Sequence, residues 1–266
     1  FAPFAHPMPS TDPKWFVEAH ASWSEKKPPT GSNPHWLPLE SNPDVLNNFS
    51  HRTGMPDEWQ WCDVFGLDPE LLAMVPSPCV AVCLLYPSKA ISGPRRQEYK
   101  KAALGGSGRG VAADLFYLWQ IEAFGNACGS IAAVHSLANN YLQGVMALNP
   151  GPLKSFIDGC KGKHPSEIGT KLADAIDLHE VSEASATEST ATVCPDREDD
   201  TDNHFITFIQ KDGALYEMDG MMAYPINHGP TTADTFLSDA VQVIKDDFIQ
   251  RDPENPNFSL LALCKA

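Results

Sequence analysis

Two strand-like stretches separated by a polar turn constrain the fold of this chain more than any other feature. Residues 204–209 are rich in β-branched and aromatic side chains in an alternating order, residues 214–219 alternate again, and Gln-Lys-Asp-Gly joins the two stretches. Asp and Gly accept the positive φ that a tight hairpin turn needs, so the segment predicts an antiparallel hairpin. Apolar runs at 79–86, between two prolines, and at 258–264 predict two further buried strands.

Helices are predicted between these strands. Residues 126–140 carry apolar side chains every three or four positions, and Ser-Asn-Pro at 41–43 is typical of a capped helix start. Shorter helices are expected at 153–159 and 165–175. Residues 88–110 are polar and basic and predict an exposed connection. The fold class is therefore α/β, in the α+β sense, with a central, mainly antiparallel sheet between helical layers.

The composition changes at two places along the chain. Residues 1–33 hold six prolines, which predicts a Pro-rich N-terminal extension before one domain over 34–266. Within the extension, residues 13–20 are expected to form one or two amphipathic helical turns. Residues 180–203 contain Glu, Ser, Ala, Thr and Asp with almost nothing large and apolar. We expect that segment to be a long mobile loop.

The charge balance narrows the classes of partner. Lys and Arg number 19 against 34 Asp and Glu, a formal net charge of −15, which repels phosphate backbones and anionic lipid. The apolar runs are far shorter than the roughly 20 residues of a membrane helix. We therefore expect no nucleic acid and no membrane as partner, and a basic protein or peptide instead. Seven scattered cysteines favour reduced thiols and a cytoplasmic location.

The hairpin brings a histidine and a carboxylate to one face of the sheet. If the loop is the Lys-Asp pair at 211–212, His204 lies directly opposite Asp219. If the loop is the Asp-Gly pair at 212–213, the two residues are diagonal neighbours. In either register the carboxylate can orient the imidazole and stabilise its charged form, as in a nucleophilic triad. An ordinary exposed ion pair is the alternative.

A candidate nucleophile, Cys128, stands at the start of the helix predicted at 126–140. Unpaired backbone N–H groups and the positive end of the helix dipole favour a thiolate there. The neighbours Ala127 and Gly129 are small and leave the sulfur approachable. A thiol at a helix start, with His and Asp later in the chain, is a papain-type arrangement. A packing cysteine is the alternative.

Several motifs occur in a recognisable order. They are Trp-Leu-Pro-Leu-Glu-Ser-Asn-Pro at 36–43, Asp-Pro-Glu-Leu-Leu at 68–72, Asn-Ala-Cys-Gly at 126–129, Leu-Tyr-Glu-Met-Asp-Gly at 215–220 and Pro-Ile-Asn-His-Gly at 225–229. Together they resemble the ubiquitin carboxyl-terminal hydrolases (UCH, peptidase family C12), a class of cysteine deubiquitinases, in the short form without a C-terminal extension. The resemblance implies a papain-like architecture with a knotted backbone.

The resemblance also implies a role for each site residue. Cys128 is the nucleophile, His204 the general base that later protonates the leaving group, and Asp219 the residue that orients the histidine. A family glutamine joins the Cys backbone N–H in an oxyanion hole, and such a donor contributes about 3 to 4 kcal/mol. At the usual spacing this chain has Glu122, which when ionised has no proton to donate. We prefer Gln120, two residues earlier, with two extra residues bulging before the helix.

These features predict a deubiquitinating hydrolase that cleaves small or unfolded adducts from the C-terminal Gly of ubiquitin through a thioester acyl-enzyme. Residues 180–203 are then a crossover loop over the site. Two other functions stay open: a catalytically weakened ubiquitin-binding protein, suggested by Glu122, and a thiol peptidase for a ubiquitin-like modifier. We expect a monomer with no cofactor, and no metal, because the histidines lack zinc spacing. We expect His228 to make a structural hydrogen bond. Met221 stands where an arginine is common in the family.

Overall fold

The predicted hairpin is part of an antiparallel sheet. The structure, a computed structural model, describes residues 10–24, 35–188, 192–196, 199 and 201–266. In these residues six strands form one sheet: β1 (Trp59–Asp63), β2 (Cys79–Pro87), β3 (Asn203–Lys211), β4 (Ala214–Met218), β5 (Ile226–Pro230) and β6 (Ser259–Lys265). Their order is β1-β6-β2-β3-β4-β5, and every neighbouring pair is antiparallel.

Helices cover both faces of this sheet. The α-helices of the described residues are α1 (Pro13–Ser24), α2 (Pro43–Thr53), α3 (Pro69–Leu72), α4 (Ser88–Leu104), α5 (Cys128–Leu142), α6 (Pro152–Gly159), α7 (Pro165–Leu172), α8 (Ile176–Glu188) and α9 (Phe236–Asp247). In that same part of the chain, none of them combines the length and the apolar character needed to cross a bilayer.

Strand β2 shows why the sheet is covered on both sides. Ala81 and Cys83 belong to the larger apolar core, which includes the buried face of α5. Val82 and Leu84 point the other way and pack in a second core that includes α9. Because successive side chains of a strand alternate, a continuous apolar run can fill both cores. The predicted class, an antiparallel sheet between helical layers, is confirmed. The backbone knot stays a prediction.

The hairpin register follows from its turn. Lys211 pairs with Ala214 and Thr207 with Met218, so the two loop residues are Asp212 and Gly213. Both have positive φ, 51° and 75°, as in the primed turns that match the twist of paired strands. Of the two registers considered, the structure has the diagonal one, which brings residue 204 close to residue 219.

Most of the segment at 88–110, expected to be an exposed connection, forms α4. One of the buried side chains of this helix is Arg95, which is 1% exposed. The guanidinium donates to both carboxylate oxygens of Glu217, at 2.9 and 2.7 Å, and to Asp247 at 2.8 Å. It also lies 3.8 Å from the ring centre of Phe248. The prediction was wrong because a paired charge, together with a few apolar side chains such as Ile91, anchors this mostly polar helix.

The expected loop at 180–203 is likewise partly helical. Residues 180–188 belong to α8, which packs beside α2 through small side chains. The buried hydroxyl of Ser182 lies 2.7 Å from that of Ser130, and Ser185 donates to Asn48 at 2.9 Å. A search for large apolar residues misses this interface, since close packing of helices needs only small ones. Residues 189–191, 197–198 and 200 lie outside the described residues.

Helix α1 lies within the predicted N-terminal extension and packs onto the rest of the chain. Phe16 is fully buried in the larger core. The rings of His20 and Trp23 lie 4.7 and 5.3 Å from that of Trp119. Twelve residues make about three helical turns, more than the one or two expected. The boundary between an extension and a domain at residue 34 stays a prediction, and residues 1–9 and 25–34 lie outside the described residues.

Candidate active site

Cys128 is the first residue of α5, as the sequence predicts. Its backbone N–H belongs to the first turn, where no intrahelical acceptor exists. Gly129 follows because space is short there: a Cβ at this position would lie 3.2 Å from Leu39 and from the ring of Phe205. The close approach of β3 holds the start of α5 against the sheet. The thiol itself is half-buried and faces a cleft.

The candidate histidine and aspartate meet as the hairpin predicts. His204, near the start of β3, is 5% exposed, and Asp219, directly after β4, is 2% exposed. The imidazole Nε2 lies 2.8 Å from Asp219 Oδ1. The same carboxylate oxygen accepts the backbone N–H of Met221 at 2.9 Å. The edge of the Tyr86 ring packs at 5.7 Å from the imidazole. The imidazole is therefore fixed from two sides, and the exposed ion pair weighed above does not describe this buried contact.

The three side chains form a hydrogen-bonded series in which Cys128 contacts His204 and His204 contacts Asp219. Burial disfavours charge on each, but their mutual attraction outweighs it. The hydrogen bond and charge of His204 lower the pKa of Cys128 below its usual value. The Asp219 carboxylate and the thiolate raise the pKa of His204 to about 10, and His204 lowers the pKa of Asp219 to about 2. The geometry thus favours the thiolate form of Cys128 and the imidazolium form of His204.

Gln120 lies beside this series. Its backbone N–H donates to the carbonyl of Gly220 at 2.7 Å, directly after Asp219. Its side chain is 9% exposed, and Nε2 donates to the carbonyl of Gly125 at 3.0 Å. A single 3-10 turn at Glu122–Phe124 separates Gln120 from the helix. This turn lies where the preferred interpretation expects two extra residues, and the choice of Gln120 over Glu122 stays a prediction. The side chain of Glu122, the alternative candidate, lies outside what the structure describes.

A cleft of about 220 Å³ opens over the Cys128 thiol. Residues 192–195 form part of its wall, opposite Leu39 and Phe205. Asn126 ties this crossing segment down, since its Nδ2 donates to the carbonyl of Asp199 at 2.9 Å and its Oδ1 accepts from the Thr201 hydroxyl at 3.1 Å. The described part of the 180–203 segment thus lines the cleft beside the thiol.

One residue that supports the site was not predicted. The hydroxyl of Tyr117 lies 2.5 Å from the carbonyl oxygen of Asp219 and 2.8 Å from that of Met222. It holds the backbone on both sides of the loop that follows Asp219. In the sequence Tyr117 belongs to an apolar stretch leading to Gln120, and nothing there indicates a contact 102 residues along the chain.

A second buried histidine–carboxylate pair lies on the neighbouring part of the sheet. His228 Nε2 is 2.8 Å from Glu217 Oε2, and Arg95 holds the same carboxylate. The structural hydrogen bond predicted for His228 is therefore present. Across the described chain, no group of three or more His, Cys, Asp or Glu side chains is arranged to hold a metal ion.

The chain is similar in sequence to known proteins over most of its length. Residues 36–250 match the family model described as ubiquitin carboxyl-terminal hydrolase, family 1. A ubiquitin carboxyl-terminal hydrolase of Aplysia californica is 39% identical over 224 residues, 84% of this chain and 99% of that protein. Ubiquitin carboxyl-terminal hydrolase 3 of Arabidopsis thaliana is 38% identical over 240 residues, 89% of this chain and 97% of that protein. The human ubiquitin carboxyl-terminal hydrolase isozyme L1 is 35% identical over 231 residues, 86% of this chain and 98% of that protein.

A solved structure is similar in fold. The UCH37 catalytic domain of Trichinella spiralis, determined bound to ubiquitin vinyl methyl ester, has a TM-score of 0.67 to this chain. The match covers 88% of this chain and 97% of that domain. At 20% identity, this likeness concerns the fold alone.

Proposed function

Because the chain belongs to family 1 of the ubiquitin carboxyl-terminal hydrolases, we propose that it is a thiol-dependent deubiquitinase that cleaves the bond after the C-terminal Gly of ubiquitin. The observation that carries the proposal is the buried series from Cys128 through His204 to Asp219, with the thiol facing a cleft. A packing cysteine needs neither an imidazole partner nor an open cleft.

The first half of the reaction forms an acyl-enzyme. The Cys128 thiolate attacks the carbonyl carbon of the terminal Gly, and the carbonyl oxygen takes the negative charge. When the tetrahedral intermediate collapses, His204 gives its proton to the departing nitrogen, and a thioester to Cys128 remains. Asp219 keeps the imidazole in the orientation that points its other nitrogen at the sulfur, and it stabilises the imidazolium. No other proton donor is needed for this step.

The second half restores the enzyme. His204, now neutral, takes a proton from a water molecule, and the resulting hydroxide attacks the thioester carbonyl. Collapse of this second intermediate breaks the carbon–sulfur bond, which releases ubiquitin with a free carboxylate and returns Cys128 as a thiolate beside imidazolium. The pKa of about 10 for His204 beside the thiolate is consistent with a proton that stays on the imidazole between turnovers.

The oxyanion is stabilised by two donors in this proposal. One is the backbone N–H of Cys128, which has no intrahelical acceptor at the first position of α5. The other is the Gln120 amide, whose nitrogen carries two protons, one of them donated to Gly125. We expect Gln120→Ala to lower kcat by about a hundredfold or more, the usual effect of losing one such donor. A near-normal kcat in this variant would remove Gln120 from the oxyanion hole.

The cleft bears on which adducts are cleaved. The segment at 192–195 crosses beside the thiol, and its neighbour Thr201 is tied to Asn126. A leaving group has to pass this crossover segment, so we infer that small or unfolded adducts are preferred over large folded ones. The net charge of −15 suits the basic C-terminal tail of ubiquitin.

The test uses ubiquitin joined through its C-terminal Gly to a fluorescent aminocoumarin. Wild-type protein should release the fluorophore, and Cys128→Ala should abolish release while still binding ubiquitin. Cys62→Ala is the matched control, because Cys62 is a half-buried thiol on β1 away from the cleft, and its rate should equal that of wild type. Binding without turnover by wild-type protein identifies a catalytically weakened ubiquitin-binding protein. Turnover of a ubiquitin-like modifier's conjugate alone identifies a peptidase of different specificity.

A further inference from the structure

A second cavity, of about 370 Å³, lies between α1, α4 and the loop at 221–224. Three of its lining residues are basic, namely His20, Arg96 and Lys100, and Val17 is among the apolar ones. Among the described residues that line it, none carries a carboxylate. In a chain with 34 acidic and 19 Lys and Arg side chains, a cavity whose described ionisable lining includes His, Arg and Lys is a local reversal of the overall charge.

Arg96 is the residue in this cavity whose bonding is incomplete. Among the described residues, its Nε is buried without a hydrogen-bond partner, and its Nη2 contacts a weak acceptor, the sulfur of Met221, at 3.3 Å. Within the described chain it makes no ion pair, whereas the preceding Arg95 is held by Glu217 and Asp247. A buried N–H without an acceptor is costly, so an oxygen atom of a ligand suits this position.

The field inside the cavity is positive. Burial lowers the pKa of His20, and the charges of Arg96 and Lys100 lower it further. Among the described residues, no acidic side chain is a cause of an opposite shift at His20. An anion placed between Arg96 and Lys100 therefore meets attraction from two charged side chains, while the lowered pKa of His20 favours a neutral imidazole that can still donate a hydrogen bond.

We propose that this cavity binds a small organic anion, with a carboxylate or phosphate group between Arg96 and Lys100. The apolar body of the ligand packs against Val17 and the aromatic ring of Tyr224. The volume lies near the lower end of the range of about 300 to 1,000 Å³ typical of small-molecule sites. Because two helices and a loop enclose the space, a single small molecule fits it better than a length of peptide.

The binding test uses the whole chain and four simple probes, measured by titration calorimetry. Phenyl phosphate and benzoate carry the two anionic groups on the same ring, benzyl alcohol is the neutral match, and inorganic phosphate lacks the apolar body. We expect at least one of the two aromatic anions to bind with a Kd of about 1 mM or lower, and the tighter one identifies the preferred group. Benzyl alcohol and inorganic phosphate should bind at least tenfold more weakly. Equal binding of benzyl alcohol, or no binding of either aromatic anion, overturns the proposal.

Two adjacent lysines provide a matched pair of variants. Lys100 lines the cavity and Lys101 does not, and both are exposed residues of the same helix. Lys100→Met should weaken binding of the aromatic anion about tenfold, and Lys101→Met should leave it unchanged. Arg96→Met should weaken it further, and its thermal melting reports whether that variant is folded. Equal affinities in the two lysine variants place the anion elsewhere. Binding is measured without ubiquitin, so this result does not depend on the proposed hydrolase activity.

Discussion

Strand β4 and the residue after it present two carboxylates, Glu217 and Asp219, and each lies 2.8 Å from a histidine Nε2. Glu217 pairs with His228, and Asp219 pairs with His204. All four side chains are largely or fully buried. The two pairs differ in the third partner, which is the guanidinium of Arg95 at Glu217 and the thiol of Cys128 at the His204 imidazole.

That third partner decides what each pair can do. Burial disfavours the charge of Glu217, but Arg95 and His228 outweigh it and lower its pKa. Both carboxylate oxygens of Glu217 accept hydrogen bonds from Arg95, so this ion pair joins α4 to the sheet. Asp219 has no such contact, and its charge acts on His204 and through it on the thiol. The histidine–carboxylate pair at Glu217 therefore stabilises the fold, whereas the pair at Asp219 is placed to transfer protons.

Replacing each of the two histidines in turn should give the largest difference in kcat. We expect His204→Gln to lower kcat for ubiquitin aminocoumarin by about 10⁴-fold, since the partner of the thiolate and the donor to the leaving group are both lost. His228→Gln should keep kcat close to the wild-type value, measured on folded protein. A comparable loss of kcat in both variants contradicts the division between the two pairs.

Neutralising the carboxylate at the site should have the next largest effect. Asp219→Asn is expected to lower kcat by about 10²- to 10⁴-fold, because the amide no longer stabilises the imidazolium. The carboxylate also helps to raise the pKa of His204 to about 10. The alkaline limb of the pH–kcat profile should therefore move to lower pH in this variant. An unmoved limb means that Asp219 does not act on His204.

Removing Arg95 from the pair of Glu217 and His228 should lower the stability of the protein. Arg95→Met leaves the buried carboxylate of Glu217 without its guanidinium partner and removes one of the two arginines at Asp247. We expect the free energy of unfolding to fall by about 3 to 5 kcal/mol. Urea unfolding followed by circular dichroism measures this change. Adding Glu217→Gln should recover part of it, since one unpaired charge is removed. If Arg95→Met is as stable as wild type, the buried network does not anchor α4.

The wild-type pH profile tests the ion pair at the site. His204 lowers the pKa of Cys128 below its usual value, and the pKa of His204 is about 10. Activity should fall as pH drops below the lowered thiol pKa, where the thiolate is protonated, and again as pH rises through about 10, where the imidazolium loses its proton. We expect a plateau between these limits. Activity that begins to rise only above the ordinary thiol pKa, near pH 8.5, contradicts a preformed ion pair.

The smallest effect concerns the adjacent arginine. Arg96 does not bond to Asp219 as Arg95 does to Glu217, but its charge helps to lower the pKa of Asp219. We expect Arg96→Met to reduce kcat about two- to fivefold, the effect of a screened charge worth under about 1 kcal/mol. KM should stay unchanged, and Lys101→Met is the control for loss of one charge on α4. A reduction of several hundredfold means that Arg96 has a more direct part in the site.

The fold and the site differ in how much of them the sequence predicts. The hairpin, the strand β2 and the start of α5 are set by local patterns, namely alternation, length and a turn with two residues of positive φ. Helix α4 and the first half of the 180–203 segment escape such patterns. Their buried faces include a paired arginine and serine hydroxyls, residue types that are more often exposed.

Within the site, spacing along the chain predicts the contact between His204 and Asp219 because one hairpin carries both residues. The sequence alone does not decide whether Gln120 or Glu122 faces the oxyanion. Two extra residues before a helix can bulge or can shift the glutamine away, and both outcomes are locally possible. The 3-10 turn at Glu122–Phe124 and the bond of Gln120 to Gly220 depend on packing against a loop a hundred residues away.

The sequence by itself determined the antiparallel class, the position of a thiol at a helix start and the pairing of one histidine with one carboxylate, since each depends on neighbours a few positions apart. The tertiary structure decided which partner each buried charge receives. Arg95 at Glu217, Cys128 at His204 and the incompletely bonded Arg96 all involve residues far apart in the chain. Burial makes such partners decisive, because a charge removed from water is stabilised only by the groups that the fold brings to it.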